Sequence, residues 1–518
     1  MASLASPAFG LLWPIILQSL LLLPFFWIFL RVYSWHLRSS NYGRRSVMLA
    51  ELGYSSKDRK RVIGFFHPYC NAGGGGERVL WTAIAAMQRT NPDAISAVYS
   101  GDTDATKAEI MSKVKARFDI SLDPKLIHLV FLKSRWLVED STWPRFTLFG
   151  QSLGSMYLAW EAMSKLIPDL YIDTMGYAFT FHVVSQLGQI PIGAYVHYPT
   201  ISSNMLERVK SRKTGHTNSG AISSSLILSH LKLLYYRFFM HHYVLSLRTA
   251  SFIMVNSSWT KGHIDSILQH SDILMNAIHL LPPLLAIKFF SSDHAPARAR
   301  IVYPPCDTRE MSLFALIPRS RTILSVAQFR PEKDHRAQLN IFHRLLELHP
   351  EYTQDAEEPV RLVLVGGSRN EGDAQRILEL RGLAKELGID AYVDFIVNAS
   401  YPAVLDWLSK ASIGLSTMVD EHFGINVVEF LAAGVIPVAH ASGGPLKDII
   451  VPFNGERTGF HASTLDEFAE AIHTVLSLSP EAEQAMRLRA RTWAVQRFSE
   501  EEFERGWNES GWRSWVSQ

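Results

Sequence analysis

The stretch at residues 411–445 constrains the fold most. An apolar strand pattern over 411–417 runs into a loop carrying Glu421 and Gly424. A short apolar helix pattern with Glu429, a second apolar strand and a Gly443-Gly444 turn follow. Strand, loop, helix and strand in that order is a βαβ unit. In open α/β sheets, ligands bind at the loop on the carboxyl end of the first strand. A helix starting near Gly424 aims its N–H groups and positive end at that loop, which favours an anion. Glu421 and Glu429 cannot hold an anion, but they accept hydrogen bonds from hydroxyls. Anion-friendly backbone beside hydroxyl-seeking carboxylates suits a sugar nucleotide.

The same alternation recurs on both sides of the chain. Strand-like runs occur at 62–66, 94–99, 127–132, 170–173 and 192–197, and again at 322–327, 362–365 and 393–397, with helical patterns between most of them. Such alternation predicts parallel sheets, and 518 residues suffice for two of them. The expected organisation is an amino-terminal segment at 1–60, a Rossmann-like domain at 61–307 and a linker at 308–320, where Pro318 falls in a polar stretch. A second Rossmann-like domain at 321–490 and terminal helices at 491–518 complete it. After residue 460 the chain reads as helices to its end.

Two further places suit ligand chemistry. Gly73, Gly74, Gly75 and Gly76 lie between the 62–66 strand and a helix pattern, and glycines let backbone approach a ligand closely. The alternative is a flexible surface turn. Arg330 and Lys333 sit just past the 322–327 strand, where two cations can grip a diphosphate, or where an ordinary charged helix start could lie. His197 ends its strand in Tyr195-Val196-His197-Tyr198-Pro199, facing a ligand or serving the core. No CxxC, HExxH or DxD-like cluster offers a metal site, so neither metal nor cofactor is expected.

Charge excludes one class of partner. With 51 basic and 49 acidic residues the formal net charge is +2, which gives no reason to expect nucleic acid. Two cysteines, Cys70 and Cys306, exclude a disulfide framework. Residues 9–30 carry no charge, and about 20 apolar residues span a bilayer. Arg31, Arg38, Arg44 and Arg45 follow, so the positive-inside rule puts the carboxyl-terminal flank in the cytosol. The expectation is an uncleaved single-pass anchor. Residues 210–225 read as a mobile loop. The apolar, aromatic runs at 226–239 and 243–255, and less strongly 277–290, fit either membrane-interfacial segments or core helices.

These residues carry a resemblance. Two Rossmann-like halves with seven residues between Glu421 and Glu429, the Arg330/Lys333 pair, Val302-Tyr303-Pro304-Pro305 and Gly443-Gly444 resemble retaining glycosyltransferase family 4, whose fold is GT-B. Phe66-His67-Pro68-Tyr69, the 71–78 glycine loop, Glu421-His422-Phe423-Gly424-Ile425 and Ser442-Gly443-Gly444-Pro445 are most similar to the α-1,2-mannosyltransferases of asparagine-linked glycosylation. The resemblance implies two Rossmann-like domains facing a cleft and a metal-independent enzyme on the cytosolic face of the endoplasmic reticulum. The enzyme would add the fourth and fifth mannoses from GDP-mannose to a dolichol-linked oligosaccharide, in company with other early mannosyltransferases. It implies donor contacts from Gly73, Gly74, Gly75, Gly76, Arg330, Lys333, Glu421, His422, Phe423, Gly424, Ile425 and Glu429. Arg330 and Lys333 would neutralise the leaving phosphate, Glu421 would orient mannose hydroxyls, and His197 would bond the 6-hydroxyl. The rivals are a family 4 enzyme with another donor or acceptor, and a non-catalytic scaffold.

Overall fold

The computed structural model describes residues 7–55, 57–201, 226–279, 298–353 and 358–516. The chain forms two compact units. The first holds residues 1–255, 260–301 and 507–518; the second holds 256–259 and 302–506.

The first unit is built on a seven-stranded sheet in the order β3-β2-β1-β4-β5-β6-β7. The strands are β1 (Arg61–Phe66), β2 (Ala94–Ser100), β3 (Ile127–Phe131), β4 (Leu170–Asp173), β5 (Ile192–Val196), β6 (Phe252–Val255) and β7 (Ala299–Ile301). All neighbours pair in parallel. β1 and β4 are apolar on both faces and buried along nearly their whole length, as expected of strands covered by helices on both sides. The order reverses between β1 and β4, which marks this unit's switch point.

The second unit has a six-stranded sheet in the order β10-β9-β8-β11-β12-β13. Its strands are β8 (Ser320–Val326), β9 (Arg361–Gly366), β10 (Val393–Val397), β11 (Ala411–Ser416), β12 (Ile436–His440) and β13 (Phe460–Ala462), again all parallel. The pleat divides its core. Ile323, Leu362, Leu364 and Ile413 join one apolar cluster, while their neighbours Leu324, Val363 and Val365 join another. Alternate side chains thus serve opposite faces. Here the switch point lies between β8 and β11.

Several expectations change. The 243–255 run is not one apolar helix: a helix runs Leu226–Arg248, and Phe252–Val255 is strand β6 inside the sheet. In that helix Phe239, Met240, Tyr243, Val244 and Leu247 belong to the core of the first unit, while Leu231 and Leu234 are exposed. The tail is not wholly helical either, since β13 pairs with β12. Residues 302–320, which contain the expected linker, belong to the second unit; they include the Thr308–Met311 helical turn and run into β8. The 210–225 loop and most of 277–290 lie outside the described residues.

The amino terminus also differs. Pro7–Glu51 is one helix of 45 residues. Its carboxyl-terminal half is docked on the first unit rather than left as a basic flank. Leu37, Met48 and Leu49 enter the core. Asn41 exchanges two 2.8 Å hydrogen bonds with the backbone of Ile167, and Arg45 grips Asp169 through two nitrogens at 2.7 and 2.9 Å. Among the described residues, no helix is long and apolar enough to cross a membrane. A membrane-spanning helix is therefore not shown; the side chains of residues 7–23, most of the expected anchor, lie outside the description.

Candidate functional site

Motif residues gather at the switch point of each sheet. In the second unit, Lys333 closes a 3₁₀ turn, Pro331–Lys333, just beyond β8. Glu421 lies in the loop after β11, the neighbouring strand. The Lys333 ammonium pairs with Glu421 Oε1, and Ser416 Oγ donates to Oε2 at 3.2 Å. Glu421 is 7% exposed, so its charge is held where a lone carboxylate would be costly. The Lys333 turn is fastened to β11 from behind. Thr417 Oγ1 donates to the Lys333 carbonyl at 3.0 Å and accepts from Gln338 Nε2 at 3.1 Å.

The loop after Glu421 turns sharply. Gly424 adopts φ +102° and starts the Ile425–Ala433 helix, a conformation that favours glycine. Asn426 Nδ2 donates to the Val326 carbonyl at the end of β8, which fixes the helix start beside the Lys333 strand. Phe423 is buried, while His422, Ile425 and Glu429 keep some exposure. The His422 carbonyl accepts from Ser257 Oγ at 2.5 Å, and its ring stacks on Trp259 at 5.4 Å. Ser258 N donates to Asp448 at 3.0 Å and Tyr303 OH does so at 2.8 Å. Gly444 N donates to the Glu421 carbonyl at 2.7 Å. Arg330, like Lys333, is paired with a carboxylate; its Nε meets Glu332 at 2.6 Å, both half-exposed.

His335, just after Lys333, is buried and stacks on Phe329 at 4.8 Å. Burial, with Lys333 close by, lowers its pKa to about 4. The folded protein therefore resists charging it, whereas an unfolded histidine titrates near 6.5. Its contribution to stability is complete above pH 6.5 and is lost as pH falls through about 4. The expected outcome is that His335→Asn flattens the fall in denaturation temperature between pH 7 and pH 4, read by thermal scans in buffers of matched ionic strength.

In the first unit, β1 leads into His67 and the glycine loop, and the Gly75–Thr90 helix begins there. Gly73 takes φ +86°, a left-handed turn that favours glycine. The loop is fastened, not loose. Asn71 N donates to Asp102 at 3.0 Å, Lys113 Nζ donates to the Asn71 carbonyl at 2.6 Å, and Glu77 accepts from Gly74 N. His67 is fully buried, with Nδ1 2.8 Å from Thr174 Oγ1 and Nε2 3.2 Å from Glu77 Oε1. Burial pushes the Glu77 carboxyl up, but the His67 and Gly74 hydrogen bonds outweigh it and hold the pKa below the ordinary value.

His197 stands beside them. A Cβ at Gly76 would meet its Nε2 at 3.7 Å. Its Nε2 lies 3.1 Å from the Thr174 carbonyl. That oxygen can only accept, so Nε2 carries the proton and Nδ1 is the acceptor nitrogen. Burial, with His67 nearby, lowers its pKa to about 4, so the ring is neutral at physiological pH. Asp173, at the end of β4, accepts from Met175 N and Gly176 N at 3.0 Å. Burial outweighs those bonds and raises its pKa to about 7.

Sequence reading assigned no role to Glu77, His67 or Thr174, although the first two stood in quoted motifs. A buried histidine four residues before the 71–78 glycine loop was a signal that only the β1–β4 pairing makes readable. Ligand atoms of His349, Glu351 and His473 also lie within 4.8 Å of one another. They already serve a side-chain network, with His349 Nδ1 3.1 Å from Glu351 and His473 Nδ1 2.6 Å from Tyr352 OH. None of them is a motif residue.

Comparison with known proteins fits this geometry. Residues 60–268 match the family described as ALG11 mannosyltransferase N-terminus, and residues 313–493 match glycosyl transferases group 1. Proteins named GDP-Man:Man(3)GlcNAc(2)-PP-Dol alpha-1,2-mannosyltransferase are similar over most of their length. That of Xenopus laevis is 44% identical over 88% of this chain and 87% of its own. That of Homo sapiens is 44% identical over 87% of each, and that of Dictyostelium discoideum 45% over 87% and 84%. Among solved structures, an α,α-trehalose 6-phosphate synthase from Burkholderia multivorans superposes with TM-score 0.61 at 14% identity, covering 88% of this chain and 99% of that one. Anabaena HepE, crystallised with UDP and glucose, gives 0.54 at 14%, covering 86% and 97%. The two parallel α/β units and these neighbours support a GT-B fold.

Proposed function

The chain belongs to the family of GDP-Man:Man(3)GlcNAc(2)-PP-Dol alpha-1,2-mannosyltransferases, and on that premise we infer that it transfers mannose from GDP-mannose to Man(3)GlcNAc(2)-PP-dolichol. It adds the fourth and fifth mannoses in α-1,2 linkage, with retention at the anomeric carbon. The supporting observation is the Lys333–Glu421 pair at the switch point between β8 and β11.

Without donor, the two charges satisfy each other. When GDP-mannose enters, Lys333 exchanges the carboxylate for the β-phosphate, aided by the start of the Ile425–Ala433 helix. Glu421 is then released to accept hydrogen bonds from mannose hydroxyls while Ser416 still orients it. Arg330 leaves Glu332 and adds a second cation. His422, Phe423, Gly424 and Ile425 shape the donor pocket, and Glu429 takes a ribose or sugar hydroxyl. As bond cleavage builds charge on GDP, Lys333 neutralises it. In the first unit, neutral His197 hydrogen-bonds the 6-hydroxyl of the donor sugar. The backbone of Gly73, Gly74, Gly75 and Gly76 offers N–H donors to phosphate or acceptor, and the His67–Glu77 pair holds that loop in place.

Under this assignment fixed cations do the work of a metal at the diphosphate. The enzyme is anchored through residues 9–30 in the endoplasmic-reticulum membrane, with both units cytosolic, where it meets other early mannosyltransferases. The test uses the purified full chain with GDP-mannose and lipid-linked trimannosyl chitobiose. Mass analysis of the glycan should show gains of one and then two hexoses, unchanged by EDTA. No hexose gain with GDP-mannose, or transfer only from another sugar nucleotide, would overturn the reading.

A further inference from the structure

The polar groups buried where β1, β4 and β5 end form one hydrogen-bonded chain, and Thr174 is its middle link. The Thr174 hydroxyl lies 2.8 Å from His67 Nδ1, and the Thr174 carbonyl accepts from His197 Nε2 at 3.1 Å. On the far side, His67 Nε2 lies 3.2 Å from Glu77 Oε1, and Glu77 Oε2 accepts from Gly74 N. The chain therefore runs from the glycine loop to His197, and Thr174 joins its two histidines. Gly76 packs against both rings: a Cβ there would meet His197 Nε2 at 3.7 Å and His67 Cε1 at 3.9 Å.

Burial sorts the members. Thr174 and His67 are fully buried, whereas His197 keeps some exposure. A ligand can therefore reach His197 and not the two residues behind it. Polar groups in such a place are costly unless each finds a partner. A satisfied network of this kind holds its members in one arrangement.

Thr174 is itself held. Its N–H donates at 3.3 Å to the carbonyl of Phe66, the last residue of β1. Asp173 accepts from the next two N–H groups, those of Met175 and Gly176, at 3.0 Å. Thr200 Oγ1, in the segment after His197, donates to the Gly176 carbonyl at 3.1 Å. The 174–176 turn is thus pinned to β1, to the end of β4 and to the chain beyond β5. The orientation of the His197 ring follows from where the Thr174 carbonyl stands. A carbonyl only accepts, so it also fixes which nitrogen of His197 carries the proton.

We propose that Thr174 is a positioning residue for donor specificity: by tying the glycine loop to His197, it aims the imidazole that reads the 6-hydroxyl of the sugar. The proposal rests on the role inferred for His197 above. It adds that discrimination at the 6-position is set by a hydroxyl that never touches the substrate.

The test compares GDP-mannose with GDP-6-deoxymannose as donors for the purified full chain. Wild type should favour GDP-mannose by at least about ten-fold in kcat/KM, because a site that bonds a hydroxyl rejects the analogue lacking it. Thr174→Val should erase most of that margin by losing rate on GDP-mannose while the deoxy donor keeps its rate. Thr174→Ser retains the hydroxyl and should restore the preference. Thr174→Val combined with His197→Ala should be no worse than His197→Ala alone, as expected of residues that act as one unit. His67→Gln breaks the same link from the other side. Its amide can replace Nε2 towards Glu77 but offers nothing in the place of Nδ1, so a folding failure in one variant leaves the other informative. A merely structural role would slow both donors alike. An unchanged ratio in the folded Thr174→Val and His67→Gln variants therefore overturns the proposal. If wild type transfers sugar from neither donor, the functional reading fails and amide hydrogen exchange decides the link. Thr174→Val should then speed exchange in the 71–78 loop, and unchanged exchange there overturns it.

Discussion

Lys333→Ala is expected to lower kcat for mannose transfer by about 10²–10³-fold, the usual loss when a charge aimed at a developing anion is removed. The effect falls on kcat more than on KM, because negative charge on the leaving diphosphate grows towards the transition state. Stability changes too. Lys333 is the charge partner of Glu421, and its removal strands a carboxylate that is 7% exposed. Breaking such a pair from one side costs about 3–5 kcal/mol at full burial; Lys333 keeps 21% side-chain exposure, so a smaller figure applies. The double variant Lys333→Ala, Glu421→Gln separates the two consequences. It should recover most of the lost denaturation temperature and none of the lost turnover. Steady-state kinetics and thermal scans on the four members of the cycle check this. Turnover near wild type in Lys333→Ala would remove the cation from the mechanism.

Gly443→Ala is expected to be nearly as damaging, by a different route. Gly443 has φ +61°, and a Cβ there would lie 2.2 Å from the Glu421 carbonyl oxygen and 2.8 Å from its nitrogen. Backbone cannot step aside as a side chain can. The left-handed conformation alone costs an alanine about 1–2 kcal/mol, and relief of the clash must displace the Glu421 loop. Gly444 N donates to that same carbonyl at 2.7 Å, and Ser442 Oγ accepts from Asp420 N at 2.7 Å. The turn and the carboxylate loop are therefore one unit. The variant should lose activity by at least about ten-fold, since ångström-scale misplacement of a reacting group costs up to 10²-fold, and should melt earlier. Gly455→Ala serves as control: it also has positive φ (+82°), with nothing within 4 Å of its Cβ. It should shift melting alone.

Much of this was readable in the chain itself, for physical reasons. β1, β4, β9 and β11 are short apolar runs bounded by turns, the pattern that parallel strands buried on both faces must have. β6 was not. Phe252–Val255 follows an apolar helix with only Thr249-Ala250-Ser251 between, and periodicity cannot divide a continuous apolar stretch. β13 is three residues at a sheet edge, too short to display any period. The places of Lys333 and Glu421 just past β8 and β11 were legible, because each follows a short apolar run that ends in a turn. Their pairing was not, because it depends on β8 and β11 lying side by side. The same holds for His67 and Thr174, which meet because β1 pairs with β4.

The division of the chain into units has a consequence for its covalent order. Residues 256–259 belong with the second unit although the first resumes after them, and Trp507 returns to the first after the second is complete. A fragment beginning at Val302 would carry Lys333 and Glu421. It would lack the Ser257 hydroxyl on the His422 carbonyl, the indole under the His422 ring, and both Ser258 groups on Asp448. A fragment ending at Ile301 would lack the indole of Trp507, on which Phe65 and Tyr195 stack. The two units are thus interleaved along the polypeptide, so no single cut yields two whole halves. The Glu421 loop inherits its shape in part from residues that a ribosome delivers before any strand of its own sheet exists.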